Sequence, residues 1–262
     1  MYIQLRAGLS NRLLSIIGLI YIAKERNIDT LFLLSSYSCE CPVNLNLLYD
    51  FPNYAKVFYD PRKYKMITNR RPKSFNTHYP LYLKKCGIKL IDKEKLGNIY
   101  SEITLKSDVK ILLDKLIKNL DIKNCHGIHL RMTDHVQYRN RKMKLRRIPN
   151  GIVTNDGDVT DIKSVNKLID SFNDDLKILI CSDCQNIINY FNKKYPKRII
   201  KYGGNIKGGR KDLKRASIDM HILANCKTFN GTIFSTFSFL IKDLRSYVYE
   251  TDIINSNYKN IS

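Results

Sequence analysis

The strongest constraint on the fold is a regular alternation of short apolar segments and amphipathic segments in the second half of the sequence. The predicted strands are residues 127–131, 176–181, 198–202, 227–230 and 247–250, and the predicted helices are residues 161–172, 182–194, 212–226 and 235–244. Strands and helices that alternate through short connections are typical of parallel sheets with helices on both faces. The sequence therefore predicts the α/β fold class.

The first half opens with the same kind of unit. Residues 2–5 are predicted to form a strand, 7–11 a turn, 12–26 a helix and 30–34 a second strand. Further on, residues 57–59 and 65–67 are predicted as strands, 69–76 as a loop, and 109–120 as an amphipathic helix. Two α/β units are expected to meet near residues 118–124, which predicts one domain over 1–120 and another over 121–262.

Composition excludes several classes of protein. The chain has 262 residues with 44% hydrophobic residues, 12 Gly and 7 Pro, which is inconsistent with collagen, low-complexity chains and wholesale disorder. Lys and Arg number 45 against 24 Asp and Glu, a formal net charge of +21. Such a charge attracts nucleic acid, anionic lipid, a sugar nucleotide or an acidic glycan without choosing among them. An AT-rich coding sequence, rich in Lys, Asn and Ile, explains the excess equally well.

The cysteines do not indicate a disulfide framework. There are seven, an odd number, and Cys181 and Cys184 form a single Cys-x-x-Cys pair with no second pair at zinc spacing. We therefore expect no metal site and a reduced, cytoplasmic chain. The most apolar stretch, residues 13–23, is too short to cross a membrane.

The strand at 127–131 carries the strongest candidate site. Ile128 and Leu130 point to one face of this strand, and His129 and Arg131 to the other. A strand inside an α/β domain is normally apolar on both faces, so buried polar groups there need partners. At the carboxyl end of a parallel strand the natural partner is a ligand. The competing interpretation is a core His with Arg131 paired to Asp134.

Three other segments place suitable groups near helix ends or on helix faces. The turn at 7–11 ends in Asn11, and a helix start there can bind an anion or a sugar hydroxyl. Asp219 interrupts an apolar helical face, where its two oxygens could accept from a guanine edge or from Arg215. The segment 229–238 brings hydroxyl groups to a helix start, a common site for phosphate. Simple helix capping is an alternative for all three.

Three further patterns do not need a catalytic or binding role to explain them. Residues 203–211 are rich in Gly, but Gly209 and Arg210 stand where a phosphate-binding loop needs Lys and Ser or Thr. Asp156 and Asp158 resemble the acidic pair of metal-dependent sugar transferases, but they lie among turn residues. The basic run at 139–147 lacks the aromatic residues that stack on single strands.

Four of these segments resemble the motifs of GDP-fucose-dependent fucosyltransferases, the superfamily of protein O-, α1,6- and α1,2-fucosyltransferases. Residues 129–134 (HLRMTD) resemble its His-x-Arg-x-x-Asp motif, and the segment beginning at Asp219 resembles its second conserved segment. Residues 229–238 resemble the third segment, and residues 7–11 resemble its Gly-x-x-Asn loop. The four occur in the family's order over nearly the whole chain.

The resemblance implies a GT-B fold, with two Rossmann-like domains facing across a cleft. It implies that residues 1–120 take the acceptor side and residues 121–262 bind the nucleotide sugar. The reaction implied is metal-independent transfer of fucose from GDP-fucose, with inversion, to a glycan, a lipid-linked sugar or another hydroxyl acceptor. No cofactor beyond the donor substrate is implied.

Site residues follow by match to the family motifs. Arg131 is implied to bind the β-phosphate and to stabilise the leaving GDP. The resemblance also implies donor contacts: His129 and Asp219 at the guanosine end, Ser235, Thr236 and Phe237 at the diphosphate, and Asn11 at the fucose or the acceptor.

The chain departs from the motifs at two positions. Met132 stands where many members have a second Arg, and Arg139 lies near the place of a carboxylate in α1,6 enzymes. The catalytic base is therefore open, with Asp134 and His135 as candidates by position. Two alternatives to this function remain: a GT-B transferase that uses another sugar nucleotide, and a basic nucleic-acid-binding protein.

Overall fold

The computed structural model describes most of the chain: residues 2–5, 8–36, 41, 44–60, 83, 88, 90–132, 158–159, 161–202 and 212–249. The chain folds into two compact units. The N-terminal unit comprises Met1–Leu112 and Leu213–Ile218, and the C-terminal unit comprises Leu113–Asp212 and Asp219–Ser262. The domain boundary at 120/121 stays a prediction.

The N-terminal unit is built on a parallel three-stranded sheet with the order β1-β2-β4. A second, antiparallel pair is formed by β3 and β5. The strands are β1 (Tyr2–Leu5), β2 (Leu31–Ser36), β3 (Tyr49–Asp50), β4 (Ala55–Asp60) and β5 (Thr104–Leu105). The helices are α1 (Leu9–Glu25), α2 (Lys93–Glu102) and α3 (Ser107–Asn119), the last of which ends in the C-terminal unit.

Helix α1 is apolar around most of its circumference, and nearly all of its side chains are buried. A helix of this kind belongs in a core and not at a surface. It begins at Leu9, three residues before the predicted start, with Gly8 at the N-cap and no side-chain cap. Capping by Ser10 or Asn11, the alternative for this segment, is therefore wrong.

The C-terminal unit contains a second parallel sheet with the order β7-β6-β8. Its strands are β6 (His126–Leu130), β7 (Ile178–Ser182) and β8 (Thr228–Asn230). Its helices are α4 (Ile162–Asp170), α5 (Gln185–Lys194), α6 (Leu213–Ala224) and α7 (Thr236–Tyr247), of which α6 begins in residues of the N-terminal unit. Helix α4 starts at a capping box in which the Asp161 carboxylate accepts from the Ser164 N–H and the Ser164 hydroxyl accepts from the Asp161 N–H.

Both faces of this sheet are covered, as the sequence pattern predicts. One face carries a buried core formed with α4 and α5, which contains Ile128, Leu130, Val165, Ile169, Ile178, Ile180, Ile187 and Phe191. On the other face β6 approaches the end of α6 very closely. A Cβ added at Gly127 would lie 2.9 Å from the Cys226 sulfur and 3.0 Å from Leu223, so a larger residue there would have to displace these side chains.

Two of the predicted strands differ from the structure. Of residues 198–202, Ile199 alone forms a bridge, pairing with Ile178 at the sheet edge. The strand predicted at 247–250 is wrong, because Tyr247 is the last residue of α7 and the Val248 N–H still donates to Leu244 O at 2.9 Å. The buried residues of α7 recur at helical spacing, which explains why the helix continues.

Several predictions fall on residues outside those that the structure describes. These are the strand at 65–67, the loop at 69–76, the basic run at 139–147, the Gly-rich segment at 203–211 and most of residues 132–160, whose polar sequence predicts a long loop.

Candidate functional site

The carboxyl end of β6 carries the residues that the sequence singled out. His129 is buried, with 6% of its surface exposed, on the face opposite to Ile128 and Leu130, as its place in the strand predicts. Its ring Nδ1 lies 2.7 Å from the Oγ of Ser238, and its ring centroid lies 4.7 Å from that of Phe237. Strand β6 is thereby joined to the first turn of α7.

Arg131 directly follows β6 and is half-buried. Its main-chain N–H donates to the Thr232 hydroxyl oxygen at 2.9 Å, and the same hydroxyl donates to the His129 carbonyl at 2.7 Å. One residue later, the Met132 N–H donates to the carboxylate of Asp183 at 2.8 Å. The backbone on which the guanidinium is mounted is therefore fixed by side chains from two other segments of the unit.

The sequence predicts that either Ser182 or Asp183 caps the helix that follows. The structure places Cys184 at the N-cap of α5 without a side-chain cap bond, and Asp183 instead binds the backbone after Arg131. The capping prediction is wrong because the carboxylate is used by the neighbouring strand end.

The start of α7 lies beside His129. Ser235 is the N-cap residue, and its hydroxyl accepts from the Ser238 N–H at 3.4 Å, so the capping alternative holds for this side chain. Thr236 and Phe237 follow as half-buried residues of the first turn. N–H groups of a first helical turn have no acceptor inside the helix and point toward any anion placed before it.

The turn before α7 is tightly packed and strained. A Cβ on Gly231 would lie 2.5 Å from the Cβ of Ser238, so no side chain fits at position 231. Phe234 has a φ of 58° and exposes 76% of its surface. Bulky residues rarely adopt positive φ, and such strain costs about 1–3 kcal/mol.

Asp158 supports the same turn. Its carboxylate accepts from the Gly231 N–H at 3.2 Å and lies 2.8 Å from the Lys242 ammonium of α7. This carboxylate is thus an ion-pair partner within the unit. Asp156, its companion in the acidic pair, lies outside the described residues.

Asp219 and Asn11 lie on helices. Asp219 is on α6 and exposes 8% of its surface, so its carboxylate is buried as its place on an apolar face predicts. Asn11 lies in the first turn of α1 in the N-terminal unit and is half-buried. The next residue, Arg12, is fully buried and donates to the Ser35 hydroxyl at 2.6 Å. The sequence pattern does not identify Arg12, which occupies a buried position of a mostly apolar helix.

Two other histidines of the C-terminal unit are neutral at pH 7. Burial lowers the pKa of His126 to about 4 and that of His221 to about 4. His126 Nδ1 lies 2.6 Å from the Thr228 hydroxyl, and His221 Nδ1 lies 2.7 Å from the Tyr249 hydroxyl. Neither ring adds positive charge to the unit under physiological conditions.

The cysteines that the structure describes are free thiols. These are Cys41, Cys125, Cys181, Cys184 and Cys226. Burial raises the pKa of the Cys125 thiol to about 11, so it is not a thiolate at neutral pH.

Metal ligands, membrane-spanning helices and the candidate bases are considered for the described part of the chain. No group of three or more His, Cys, Asp or Glu residues there could hold a metal ion. None of the helices there has both the length and the hydropathy of a membrane-spanning segment. Asp134 and His135, the candidate bases, lie outside it.

Solved structures of similar fold were found over almost the full chain. NodZ α-1,6-fucosyltransferase soaked with GDP-fucose matches with a TM-score of 0.59 and 16% identity, over 93% of this chain and 92% of that chain. The chain has the fold of GDP-fucose-dependent fucosyltransferases. NodZ from Bradyrhizobium gives a TM-score of 0.60 at 13% identity, over 92% and 91% of the two chains. POFUT1 in complex with GDP-fucose gives 0.56 at 14% identity, over 94% and 95%.

The shared fold confirms the predicted α/β class with parallel sheets and agrees with the family that the sequence resembles. No protein-family model and no curated protein sequence matches the chain. Within this fold, the structure brings His129, the Arg131 backbone, Ser235 and Phe237 into one hydrogen-bonded and packed cluster with Ser238 and Thr232.

Sequence reasoning missed two members of this machinery. Thr232 lies inside the third motif, whose pattern gives it no role, and the sequence pattern does not predict the partner of Asp183. A usable signal for Thr232 is a hydroxyl side chain just after a strand end, where main-chain groups need partners outside the ladder.

Proposed function

We propose that this protein is a fucosyltransferase that moves fucose from GDP-fucose to a hydroxyl group of a glycan or lipid-linked acceptor. The observation that carries the proposal is the shared fold with NodZ and POFUT1, whose structures were determined with GDP-fucose. Two of the four motif-like segments support it, because residues 129–131 and 232–238 form one cluster at the end of β6.

The domain arrangement proposed is that of GT-B enzymes. Two Rossmann-like domains, residues 1–120 and 121–262, would face each other across a cleft, with the nucleotide sugar bound by the second. The parallel sheet in each unit supports this proposal. Asn11, at the start of the first helix of the N-terminal unit, is proposed to contact the fucose or the acceptor.

The diphosphate of the donor is assigned to the start of α7. The N–H groups of a first helical turn, here at Thr236 and Phe237, act with the positive end of the helix dipole to favour a bound anion. The Ser235 hydroxyl is engaged as the helix cap, so its contribution to the donor would be through its position at the helix start.

The guanine base is assigned to Asp219. A carboxylate can accept two hydrogen bonds from the N1–H and N2–H groups of guanine, and Asp219 lies buried on a face of α6 that also carries apolar residues. His129, buried beneath the start of α7, is assigned to the same end of the donor.

The chemical step we propose is a direct displacement. The acceptor oxygen forms a bond to the anomeric carbon while the bond from that carbon to the β-phosphate oxygen breaks, which inverts the anomeric configuration. The electron pair remains on GDP, and the acceptor proton passes to a base for which Asp134 and His135 are the candidates. Arg131 stabilises the charge that grows on the β-phosphate, the role that a metal ion fills in other transferases.

A donor screen tests the function. The purified protein is incubated with GDP-fucose, GDP-mannose and UDP-sugars, and released GDP or UDP is measured with and without oligosaccharide acceptors. We expect GDP release from GDP-fucose in clear preference to the others, and its loss in Arg131→Ala. Preference for a UDP-sugar by the folded protein would instead support a transferase with another donor.

Thermal unfolding provides a second readout that needs no acceptor. A ligand that binds the folded state alone stabilises it by RT ln(1 + [L]/Kd), so GDP should raise the Tm and UDP should not. Tight binding of duplex or single-stranded nucleic acid with a steep salt dependence, and no turnover of any sugar nucleotide, would favour the nucleic-acid alternative.

A further inference from the structure

Strand β8 ends at Asn230, yet its pairing with β6 continues through a side chain. The register of the two strands pairs His126 with Thr228 and Ile128 with Asn230. Continued by two residues, the same register places Thr232 opposite Leu130. In a parallel ladder alternate residues of a strand bond through their own N–H and C=O to the two residues that flank their partner.

The hydroxyl of Thr232 makes both of these bonds. It donates to the carbonyl of His129 at 2.7 Å and accepts from the N–H of Arg131 at 2.9 Å, the two residues that flank Leu130. Thr232 exposes 1% of its surface, so water does not replace these bonds. A single side-chain oxygen thus occupies the place of two main-chain groups.

The main chain of Thr232 is used elsewhere. Its N–H donates to the Oγ of Ser238 at 2.8 Å, and its carbonyl accepts from the N–H of Ser235 at 3.1 Å. On the opposite side of the segment, Val159 bonds to the peptide groups of Gly231 and Ile233 at 2.8 and 3.2 Å. The ladder partners that Thr232 would have offered to β6 are therefore committed to the start of α7.

We propose that Thr232 is the positioning residue of Arg131. This proposal rests on the proposed function in one respect, which is the role of Arg131 at the β-phosphate. Through one residue the backbone that carries the guanidinium is tied to the helix start assigned to the diphosphate, so both phosphate-binding elements are held in a fixed relation. Asp183 adds a second tether one residue later, at the Met132 N–H.

The chemistry at position 232 needs an atom that donates and accepts at once. Among side chains of this size, Ser and Thr hydroxyls do both, and Val does neither although its shape is the same as that of Thr. In Thr232→Val, the His129 carbonyl and the Arg131 N–H both lose their partner in a buried place. Thr232→Ser keeps both bonds.

The experiment compares Thr232→Val, Thr232→Ser and the control Thr228→Val. Thr228 lies on β8, and its hydroxyl bonds to a buried histidine, His126, at 2.6 Å, away from the backbone of Arg131. We expect Thr232→Val to lower kcat on the order of 10- to 100-fold with less than about three-fold change in KM for GDP-fucose. Thr232→Ser should restore kcat to within about three-fold of wild type, and Thr228→Val should lower the Tm without lowering kcat.

Amide hydrogen exchange over residues 127–132 tests the positioning without any turnover. We expect faster exchange at Arg131 in Thr232→Val and wild-type exchange there in Thr232→Ser and Thr228→Val. If the wild type releases no GDP from GDP-fucose, the proposed function fails. The exchange result still shows whether the Thr232 hydroxyl holds the backbone of Arg131. Wild-type kcat in folded Thr232→Val, or unchanged exchange at Arg131, would overturn the positioning role.

If Thr232→Val does not fold, Thr232→Ala and Thr232→Ser are compared at the same positions by exchange and kcat. Equal losses in these two variants would also overturn the proposal, because Ser retains the hydroxyl and Ala does not.

Discussion

The ring Nδ1 of His129 lies 2.7 Å from the Oγ of Ser238, and this bond joins the end of β6 to the first turn of α7. The same Oγ accepts from the Thr232 N–H. Removal of the Ser238 oxygen takes this hydrogen-bond partner away from the His129 ring nitrogen and from the Thr232 N–H, both of which are buried. Buried polar groups that lose their partner typically cost about 1–3 kcal/mol each.

Because two buried groups lose their partner, Ser238→Ala is expected to lower the free energy of unfolding by about 2–6 kcal/mol, measured by urea denaturation. Ser246→Ala is the matched control on the same helix, because its hydroxyl donates back to the Lys242 carbonyl at 3.0 Å, within the helix. That variant should change stability by less than about 0.5 kcal/mol. Equal effects of the two variants would show that the bond to His129 does not hold the helix start.

Arg131→Lys should lower kcat on the order of 10²–10³-fold. The planar guanidinium binds two phosphate oxygens at once, and an ammonium cannot reproduce that geometry as negative charge grows on the β-phosphate. Affinity for GDP, measured by calorimetry, should fall much less, because the start of α7 remains.

Arg198→Lys is the control for general loss of a buried guanidinium. Arg198 donates to the carbonyls of Ile169 and Asn173 at 3.0 Å, away from the proposed site. It should lower the Tm and leave kcat within a few-fold of wild type. Near wild-type turnover in a folded Arg131→Lys would make Arg131 a structural residue.

Asp219→Asn should produce the opposite pattern. An amide offers one acceptor oxygen and two donors, so it opposes the N1–H and N2–H donors of guanine. We expect weaker binding of GDP with a smaller effect on kcat at saturating donor. Asp243→Asn is the matched control, because Asp243 is also 8% exposed but lies on α7. If both variants bind GDP as the wild type does, the guanine assignment is wrong.

Turnover is expected to survive chelation. Arg131 is proposed to neutralise the diphosphate, and Asp158 is already paired with Lys242 at 2.8 Å. Initial rates measured with and without EDTA should agree. Loss of activity in EDTA that manganese restores would point instead to a metal held by Asp158 and Asp156.

Stability should fall as the pH drops from about 6.5 toward 4 because of buried neutral histidines. The pKa of His126 is lowered to about 4 by burial, whereas an unfolded histidine titrates near 6.5. Between these values the unfolded state binds a proton that the folded state does not, so acid favours unfolding. The stabilisation is full above the unfolded pKa and is lost as the pH falls to the folded value.

The contribution of His126 between pH 7 and pH 5 is about 2 kcal/mol, taking about 1.36 kcal/mol per pKa unit. Urea denaturation of the wild type and of His126→Asn at the two pH values isolates this term from other titrating groups. A smaller loss of stability in the variant is expected. Identical losses would mean that His126 takes up its proton in the folded state.

The sequence predicted the parts of the site that depend on strand and helix periodicity. The alternation of Ile128, His129, Leu130 and Arg131 places two residues in the core and the other two on the opposite face, and the structure agrees for the three residues within β6. Asp219 was likewise expected to be buried because of its apolar helical neighbours, and it is.

The remaining features depend on hydrogen-bond partners that are distant in sequence. Asp183 bonds to Met132 and Thr232 to Arg131, and sequence spacing does not identify such partners. Element ends are also poorly specified: the apolar residues near Tyr247 fit a strand or the end of a helix equally well. In the structure, the Val248 N–H donates to the Leu244 carbonyl, which shows that the helix extends to this point.

The contact between Gly231 and Ser238 restricts how this segment can change during evolution. A methyl group at position 231 would collide with the Ser238 Cβ at 2.5 Å, and the second-site change that makes room is Ser238→Gly. That change removes the oxygen to which His129 and Thr232 are bonded. A larger residue at position 231 therefore cannot be compensated by a smaller one at position 238. Gly231 and Ser238 must be retained together.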